Sequence, residues 1–370
     1  MEGSTPAARA GGIVGVLAAT GVAAALMQTV VVPLIGELPV ILHTTPSNAS
    51  WVITVTLLVG AVCMPVVGRL GDLYGKRRML LVCSVPVVTG SAVCALSSSV
   101  LPMIVGRGLQ GMGMGIIPLG ISAMRDLLPP ERMGSAIALM SSSIGIGAAL
   151  GLPLAAAVSE HASWRLMFAG SAALNTLVAV MIWLRVPATP PHARGRFDLA
   201  GALGLGTALV CLLLGVSKGA DWGWASGAVL GLLAAAVVVL VAWGAWELRV
   251  RDPLVDLRLT ARRQVLLTNL ASILLGVAMY AQALIAPQLM QMPAATGYGL
   301  GQSMLATGLW MAPSGLMMIV ISPVSARLSA ACGAKVTLVV GSLIIAAGYG
   351  CSQVLMWSTW GLLLVSCVCG

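Results

Sequence analysis

Long apolar segments separated by short polar connections run through the whole sequence, and they restrict its possible folds more than any other feature. A helix that crosses the hydrocarbon core of a bilayer needs about 20 mainly apolar residues. Twelve segments qualify, the last one being short: residues 11–36, 51–70, 79–98, 101–124, 135–158, 165–186, 198–217, 225–246, 265–292, 302–322, 335–353 and 357–370. The first is too long for the apolar core of a cleaved signal peptide. The pattern predicts an all-α protein with many membrane spans.

The composition supports a membrane protein and argues against other classes. Of the 370 residues, 59% are hydrophobic and 8% are charged, and the mean hydropathy is +1.00. Soluble domains are about 45–50% apolar and about 25% charged. The net charge of +9 does not indicate nucleic-acid binding, because the basic residues lie in small groups between apolar segments. The cysteines and histidines lack zinc-ligand spacing and no Walker or HExxH motif occurs, so we expect no metal, no cofactor and no enzyme.

The distribution of Lys and Arg predicts the orientation of the chain in the membrane. Seventeen of the 20 basic residues, among them Arg9 and Arg194, lie in one set of alternating connections, whereas the other set holds only Arg165 and Lys218. The remaining basic residue, Arg107, lies within a span. Because connections rich in Lys and Arg stay in the cytoplasm, we predict a cytoplasmic N-terminus.

The connection at residues 68–78, GRLGDLYGKRR, contains residues that membrane topology alone does not require. Its Lys and Arg side chains suit a cytoplasmic turn, but Asp72 and the glycines do not follow from that rule. The segment MPVVGRLGDLYGKR at residues 64–77 aligns with SPVSARLSAACGAK at 322–335, an offset of 258 residues. Both copies follow one apolar segment and lead into another. This repeat predicts two halves with the same orientation, as in some secondary transporters.

At these residues the sequence resembles the major facilitator superfamily. The connection between spans two and three is similar to a family motif at Gly68, Leu70, Asp72, Gly75, Lys76 and Arg77. Span four is similar to the family at Arg107, Gln110 and Gly111. Span five resembles the antiporter motif at Gly147, Gly151 and Pro153, although the proline is displaced by one position. The two segments within residues 198–246 resemble the insert of the fourteen-span drug:proton antiporter branch.

The resemblance implies the major facilitator fold of two parallel six-helix repeats with a two-helix insert. We place the N-terminal six-helix half at residues 1–186, the linker and insert at 187–264, and the second half at 265–370. Adding the repeat offset to spans four to six puts their counterparts at about 359–444. Because the sequence ends at residue 370, we expect the second repeat to be incomplete by roughly 75 residues.

The resemblance further implies a conformational latch at the cytoplasmic ends of the spans. Its candidate residues are Gly68, Asp72, Gly75, Lys76, Arg77 and Asp126. Asp72 can accept hydrogen bonds from Lys76 or Arg77 and from helix N-termini. Ala330 stands where the second copy would carry the acid, so we expect an asymmetric latch. The alternative is a solvated turn that only sets topology.

Further candidates lie within the spans. Arg107 is the one cation well inside a span, and Gln110 shares its helical face. Burying an arginine costs about 2.5–3.5 kcal/mol or more. We therefore predict a polar patch that handles protons or substrate, the alternative being an arginine that snorkels to the membrane surface. The glycines of span five allow backbone-to-backbone packing, to which the resemblance adds a constraint on leakage and on the direction of transport.

We expect the substrate cavity near the membrane midplane, between the halves. Besides the polar patch, the candidate lining residues are Gln28, Thr29, Tyr280, Gln282, Gln288 and Trp310. None of the eleven acidic residues lies at mid-membrane, and Met27 and Gln28 stand where the antiporter branch has an aspartate. Glu37, at the outer end of span one, is therefore the predicted proton carrier, with Arg107 as its partner.

Together these features predict a secondary active transporter in a bacterial plasma membrane. It would couple protons to the efflux of small amphipathic compounds or drugs by alternating access. Its partners would be a small-molecule substrate, protons and lipid, without nucleic acid, and it would act as a monomer. Two alternatives stay open: a metabolite uniporter or importer on the same fold, and a non-transporting sensor or truncated remnant.

Overall fold

The computed structural model of the chain describes residues 6–29, 31, 34, 37–191, 195–297, 299–355 and 357–369. Across these residues the backbone forms fifteen α-helices and two short 3-10 turns, without a strand. Arg194, counted above among the basic residues, and positions 30, 32, 33, 35 and 36 of the first apolar segment lie outside the described residues.

The helices follow the apolar segments of the sequence. Their bounds are α1 Pro6–Thr29, α2 Leu38–Ile41, α3 Pro46–Tyr74, α4 Lys76–Leu96, α5 Val100–Gly111, α6 Ile116–Leu127, α7 Pro130–His161, α8 Arg165–Arg185, α9 Leu199–Trp222, α10 Gly227–Glu247, α11 Leu257–Thr260, α12 Arg263–Gln291, α13 Met304–Cys332, α14 Ala334–Leu355 and α15 Thr359–Cys369. A 3-10 turn at Met112–Gly115 joins α5 to α6, and another at Ala294–Thr296 follows α12.

Eleven stretches of the described chain are long and apolar enough to cross a membrane, with α5 and α6 counted as one. The apolar helix α15 is shorter, at 11 residues. The prediction of an all-α membrane protein, with a short last segment, is confirmed. In a bilayer core, helices of this kind satisfy their own backbone hydrogen bonds, which lipid cannot do.

Residues 68–78 do not form the loop that the sequence suggested. Helix α3 continues through the charged residues to Tyr74, and Gly75 alone separates it from α4. The apolar pattern ends at the first charge, but helical hydrogen bonding continues until Gly75 adopts a φ of 91°, a conformation that suits glycine. The second copy has the same form, with Gly333 at a φ of 88° between α13 and α14.

Two compact units make up the chain, and each combines segments that are distant in sequence. The first consists of Met1–Leu34, Met124–Ser171 and Asn269–Gly370, and the second of Ile35–Ala123 and Ala172–Thr268. In the first unit, α7 packs against both α1 and α13, and α14 and α15 pack on α13. In the second, α3, α4 and α5 pack together, α9 packs on α3, and α10 packs on α9. The domain boundaries drawn from the sequence stay a prediction.

A buried lysine attaches the inserted helix α9 to α3. Lys218, which the sequence placed in a connection, lies within α9 and is only 1% exposed. Its Nζ donates to Asp221 Oδ2 at 2.8 Å, to the Ser47 carbonyl at 3.2 Å and to Ser50 Oγ at 3.2 Å. The ammonium also lies 5.0 Å from the centre of the Trp51 ring, within cation–π range. The charge is thus buried with its donors satisfied, which fixes α9 along the start of α3.

Replacing this lysine should loosen the insert. In Lys218→Met the aliphatic stem is kept, but Asp221 and the serines of α3 lose their charged donor. We expect a lower midpoint of thermal unfolding for purified protein in detergent. Lys335→Met removes an exposed lysine and should change the free energy of unfolding by no more than about 0.5 kcal/mol. Its midpoint should therefore stay close to that of the parent. Equal midpoints for the two variants would contradict the anchoring role.

Candidate functional site

The junction between α3 and α4 carries the ion pair that the sequence suggested. Lys76 Nζ lies 3.6 Å from Asp72 Oδ1, one helical turn away. The Lys76 side chain is 6% exposed, whereas that of Asp72 is 45% exposed. Arg77 points elsewhere, because its Nη2 donates to the Trp183 carbonyl at 2.6 Å, near the C-terminal end of α8. A guanidinium there complements the carbonyls that a helix end leaves free.

Thr189 stabilises this junction, a role that no pattern in the sequence predicted. Its Oγ1 accepts hydrogen bonds from the backbone N–H groups of Lys76, at 2.8 Å, and of Arg77, at 3.3 Å. Thr189 thereby caps the start of α4 from a segment more than a hundred positions away. A Cβ placed on Gly75 would lie 2.6 Å from the Thr189 carbonyl oxygen, so glycine is required there for space as well as for its φ.

The other latch candidates are placed differently. A Cβ on Gly68 would meet nothing within 4 Å, so the structure gives no packing reason for a glycine at that position. Asp126 belongs to the first unit, whereas Asp72 belongs to the second. Its membership of the latch stays a prediction.

The connection after α10 brings further charges to the junction. A polar cleft of about 350 Å³ is lined by Arg69 and Asp72 on α3 and by Arg251, Asp252 and Asp256 beyond α10. The insert therefore contributes charged groups beside the family-like motif. Sequence reasoning missed this, since the two segments are far apart in the chain.

Arg107 and Gln110 form a buried network that joins three helices of the second unit. Arg107 is 2% exposed and Gln110 is fully buried. Arg107 Nη1 donates to Gln110 Oε1 at 2.7 Å, and its Nε donates to the Val52 carbonyl at 3.2 Å. Gln110 Nε2 donates to Ser91 Oγ at 2.8 Å. The arginine is therefore held inside the helix packing, and snorkelling does not describe it.

Glu37 is not brought to this network. It is exposed and occupies the N-cap position of the short helix α2, without a capping hydrogen bond from its side chain. Within the described part of the chain, no ion pair of 4 Å or less joins it to Arg107. The pairing of these two residues, expected from the sequence, is absent from this structure.

The antiporter-type glycines of α7 make close contact with α1. A Cβ placed on Gly147 would lie 2.5 Å from the Ala25 Cβ and 2.8 Å from the Val22 carbonyl oxygen. A Cβ on Gly151 would overlap the Thr29 side chain. These glycines let the two backbones touch, as small residues do between membrane helices.

The opposite face of α7 is packed as tightly against α13. A Cβ on Gly145 would lie 2.8 Å from the Gly315 carbonyl oxygen, and one on Gly315 would lie 2.6 Å from the Ala149 Cβ. A Cβ on Gly308 would lie 3.0 Å from Pro153 Cα. Pro153, a motif residue, is thus part of the α13 contact.

The six cavity candidates all fall in the first unit, on α1, α12 and α13. They are Gln28, Thr29, Tyr280, Gln282, Gln288 and Trp310. Gln28 is half-buried, and Tyr280 and Gln288 are exposed. Three already have protein partners. Thr29 Oγ1 donates to the Ala25 carbonyl at 3.1 Å, and Gln282 Nε2 donates to Ser366 Oγ at 3.0 Å. Trp310 packs edge-on against Trp360, with the ring centres 4.9 Å apart. Their role in binding stays a prediction.

A cavity of about 1090 Å³ lies elsewhere in the same unit, between α7, α13, α14 and α15. None of the six candidates is among the described residues that line it. Its α13 wall carries Ser322, Ser325 and Ser329, spaced three and four residues apart on one helical face. That spacing is visible in the sequence, within the second copy of the repeat.

Comparison with known proteins places these features in a family context. The family model described as Major Facilitator Superfamily matches residues 17–370. The chain is 30% identical over 318 residues to the tetracenomycin C resistance and export protein of Streptomyces glaucescens, covering 83% of this chain and 56% of that protein. It is 25% identical over 306 residues to the multidrug transporter protein MdtP of Bacillus subtilis (strain 168), covering 82% and 55%. The chain thus spans about half the length of the curated relatives it matches.

Solved structures agree on the fold. A POT family transporter in complex with 5-aminolevulinic acid superposes with a TM-score of 0.64 at 14% identity, covering 96% of this chain and 80% of that one. At this identity the likeness concerns the fold alone.

The contacts of α7 allow a test in which one substitution has opposite effects at two glycines. Gly→Ala in a helix interior ordinarily stabilises by about 1 kcal/mol. We expect that gain for Gly170→Ala in α8, where an added Cβ meets nothing within 4 Å. Gly147→Ala should instead lower the midpoint of thermal unfolding, because the methyl group would force α1 and α7 apart. If Gly147→Ala stabilises as Gly170→Ala does, the close packing is wrong.

Proposed function

The chain belongs to the major facilitator superfamily, and we propose that it forms part of an exporter of small amphipathic compounds. It is a multi-pass membrane protein of a transporter family rather than an enzyme. The observation that carries the proposal is its similarity, over more than four fifths of the chain, to proteins named for multidrug transport and for tetracenomycin C export.

The charge distribution supports a specific arrangement in the membrane. The excess of Lys and Arg in alternate connections favours a cytoplasmic N-terminus in a bacterial plasma membrane. The α3–α4 junction would then face the cytoplasm. There Asp72 and Lys76, with the charges beyond α10, would form contacts that break and re-form as the transporter alternates between its two open states.

Proton coupling is part of the proposal, and Glu37 is its candidate. The structure leaves this carboxylate exposed at the start of α2, where it can exchange protons with water. Arg107 and Gln110 would have a supporting role, since their hydrogen bonds to the Val52 carbonyl and to Ser91 Oγ fix the packing of α3, α4 and α5. A substrate molecule and protons are the only partners required.

Export can be tested in a bacterial strain without its own drug efflux pumps. Cells expressing the gene that encodes this chain should accumulate less Nile red, a neutral fluorescent compound, than cells with empty vector. A protonophore should abolish the difference. Counterflow in proteoliposomes that is indifferent to a pH gradient would instead indicate a uniporter, and no flux in either assay would indicate a non-transporting protein.

The Asp72→Asn variant distinguishes two hypotheses for residues 68–78, a conformational latch and a turn that only sets topology. The pair with Lys76 is half-exposed, so its loss should change stability by less than about 1 kcal/mol. The basic residues that set topology remain, so membrane levels measured by immunoblot should be normal. Flux should fall at least about fivefold, the lower end of typical coupling effects. Parental flux in Asp72→Asn, together with altered topology in Lys76 or Arg77 variants, would favour the topological alternative.

Glu37→Gln addresses coupling separately from transport. The substitution keeps size and hydrogen bonding but removes the titratable proton. We expect flux driven by a pH gradient to be lost, while downhill exchange of substrate continues at the parental rate. Full proton coupling in this variant would exclude Glu37 as the carrier. Glu131→Gln, at the exposed start of α7, is the matched control and should change neither measurement.

A further inference from the structure

The cavity bounded by α7, α13, α14 and α15, which we call the serine cavity, lies within one compact unit. We propose that it binds an uncharged compound with an apolar body and one or two hydrogen-bonding groups. This inference rests on the proposed export function and specifies a class of compound for it. The site is separate from the cavity candidates that the sequence suggested, none of which is among its described lining residues.

The lining excludes a charged occupant. Every described residue that lines the serine cavity is uncharged. An ion that leaves water for such surroundings loses its hydration without gaining a counter-charge, which costs several kcal/mol. A neutral compound avoids that cost, and its apolar surface gains from leaving water.

The α13 wall of the serine cavity belongs to the second copy of the repeat, and it differs from the equivalent part of α3 in the first copy. In the first copy, Arg69 and Asp72 line the polar cleft beside the insert. In the second copy, Ala330 occupies the position equivalent to Asp72 and lines the serine cavity instead. Arg327, equivalent to Arg69, is exposed and is not among the lining residues. The acid of the first copy is therefore replaced by a neutral residue in the second, where the basic residue Arg327 is not among the described residues that line the cavity.

Two hydroxyl groups remain available to an occupant. Ser322 Oγ donates to the Ala138 carbonyl at 2.7 Å, and Ser329 Oγ donates to Thr337 Oγ1 at 2.9 Å. Ser141 and Ser325 also line the cavity, and neither hydroxyl has a hydrogen-bond partner among the described residues. Each can donate one hydrogen bond and accept others. They supply the few polar contacts that orient a ligand in a mainly apolar site.

The size and walls of the cavity suit a compound of several rings. Its volume of about 1090 Å³ is at the upper end of small-molecule sites, which are commonly about 300–1,000 Å³. Met317 and Met318 line it, and flexible thioether side chains adapt to ligands of different shape.

A glycine in the wall permits the cavity to be filled without a clash. Gly341 lies on α14, lines the cavity, and has nothing within 4 Å of an added Cβ. Gly341→Leu should therefore fold while occupying part of the site. Gly350→Leu is the matched control, because Gly350 lies on the same helix, has equally open surroundings and does not line the cavity. Both variants gain a good helix former, so their unfolding midpoints should rise together.

The probe is benzophenone, a neutral compound with two aromatic rings and one carbonyl acceptor, applied to the full chain in lipid nanodiscs. After irradiation, mass spectrometry compares labelling of Met317 and Met318 with labelling of Met279, an exposed methionine on α12. We expect saturable labelling of the cavity pair, reduced in Gly341→Leu and unchanged in Gly350→Leu. Ser141→Ala/Ser325→Ala should raise the half-saturating concentration about tenfold, or about 1.4 kcal/mol. The trimethylammonium derivative of the probe should label the pair at least about tenfold less.

Several results would overturn the proposal. These are labelling no greater than at Met279, labelling unchanged by Gly341→Leu, and equal labelling by the cationic derivative. The Nile red export assay is independent of this measurement. Saturable labelling without export would refute the function and keep the site, whereas export without labelling would refute the site alone.

Discussion

The close approach of α7 to α1 on one face and to α13 on the other is the contact on which the first unit depends. Lipid is as apolar as a leucine side chain, so burial from water does not hold helices together inside a bilayer. Dispersion contacts must do so, and these need short distances. Gly147 and Gly151 provide them towards α1, and Gly145 and Gly315 provide them between α7 and α13. A side chain at any of these positions would separate the backbones along the whole contact.

The second unit also has close glycine contacts, such as Gly90 against Gly106, and it adds buried charged side chains. Among the described residues, the buried charged side chains are Lys76, Arg107, Lys218 and Glu247, and all four belong to this unit. Lys76 pairs with Asp72, Arg107 is satisfied by neighbours on α3 and α5, and Lys218 joins α9 to α3. Lys76, Arg107 and Lys218 each bond across a helix–helix contact, so these contacts specify which helices meet. Glu247 instead accepts a hydrogen bond from the backbone N–H of Leu254, beyond α10.

The sequence predicted the spans and the repeat because both depend on local patterns. Hydropathy locates a span, and Gly75 and Gly333 share a backbone conformation that few other residues adopt. The cap that Thr189 provides for α4, and the charges that the α10–α11 connection brings to Asp72, depend on contacts between distant segments. Local patterns do not contain that information. The Arg107–Gln110 hydrogen bond was predictable, since the residues are one turn apart, but their burial against Val52 was not.

Among the described residues, buried charge is thus confined to the second unit. The second unit combines buried charges with the ionic α3–α4 junction, and such contacts can alternate between discrete partners during a conformational cycle. The first unit has backbone contacts and serine hydroxyls around a neutral cavity of about 1090 Å³. A charge beside that cavity would favour ionic compounds and would require a counter-ion whenever the cavity emptied. Replacement of the acid by Ala330 in the second copy removes that requirement. The repeat therefore supplies the same turn twice, with Asp72 paired to Lys76 in the first copy and Ala330 in the wall of the cavity in the second.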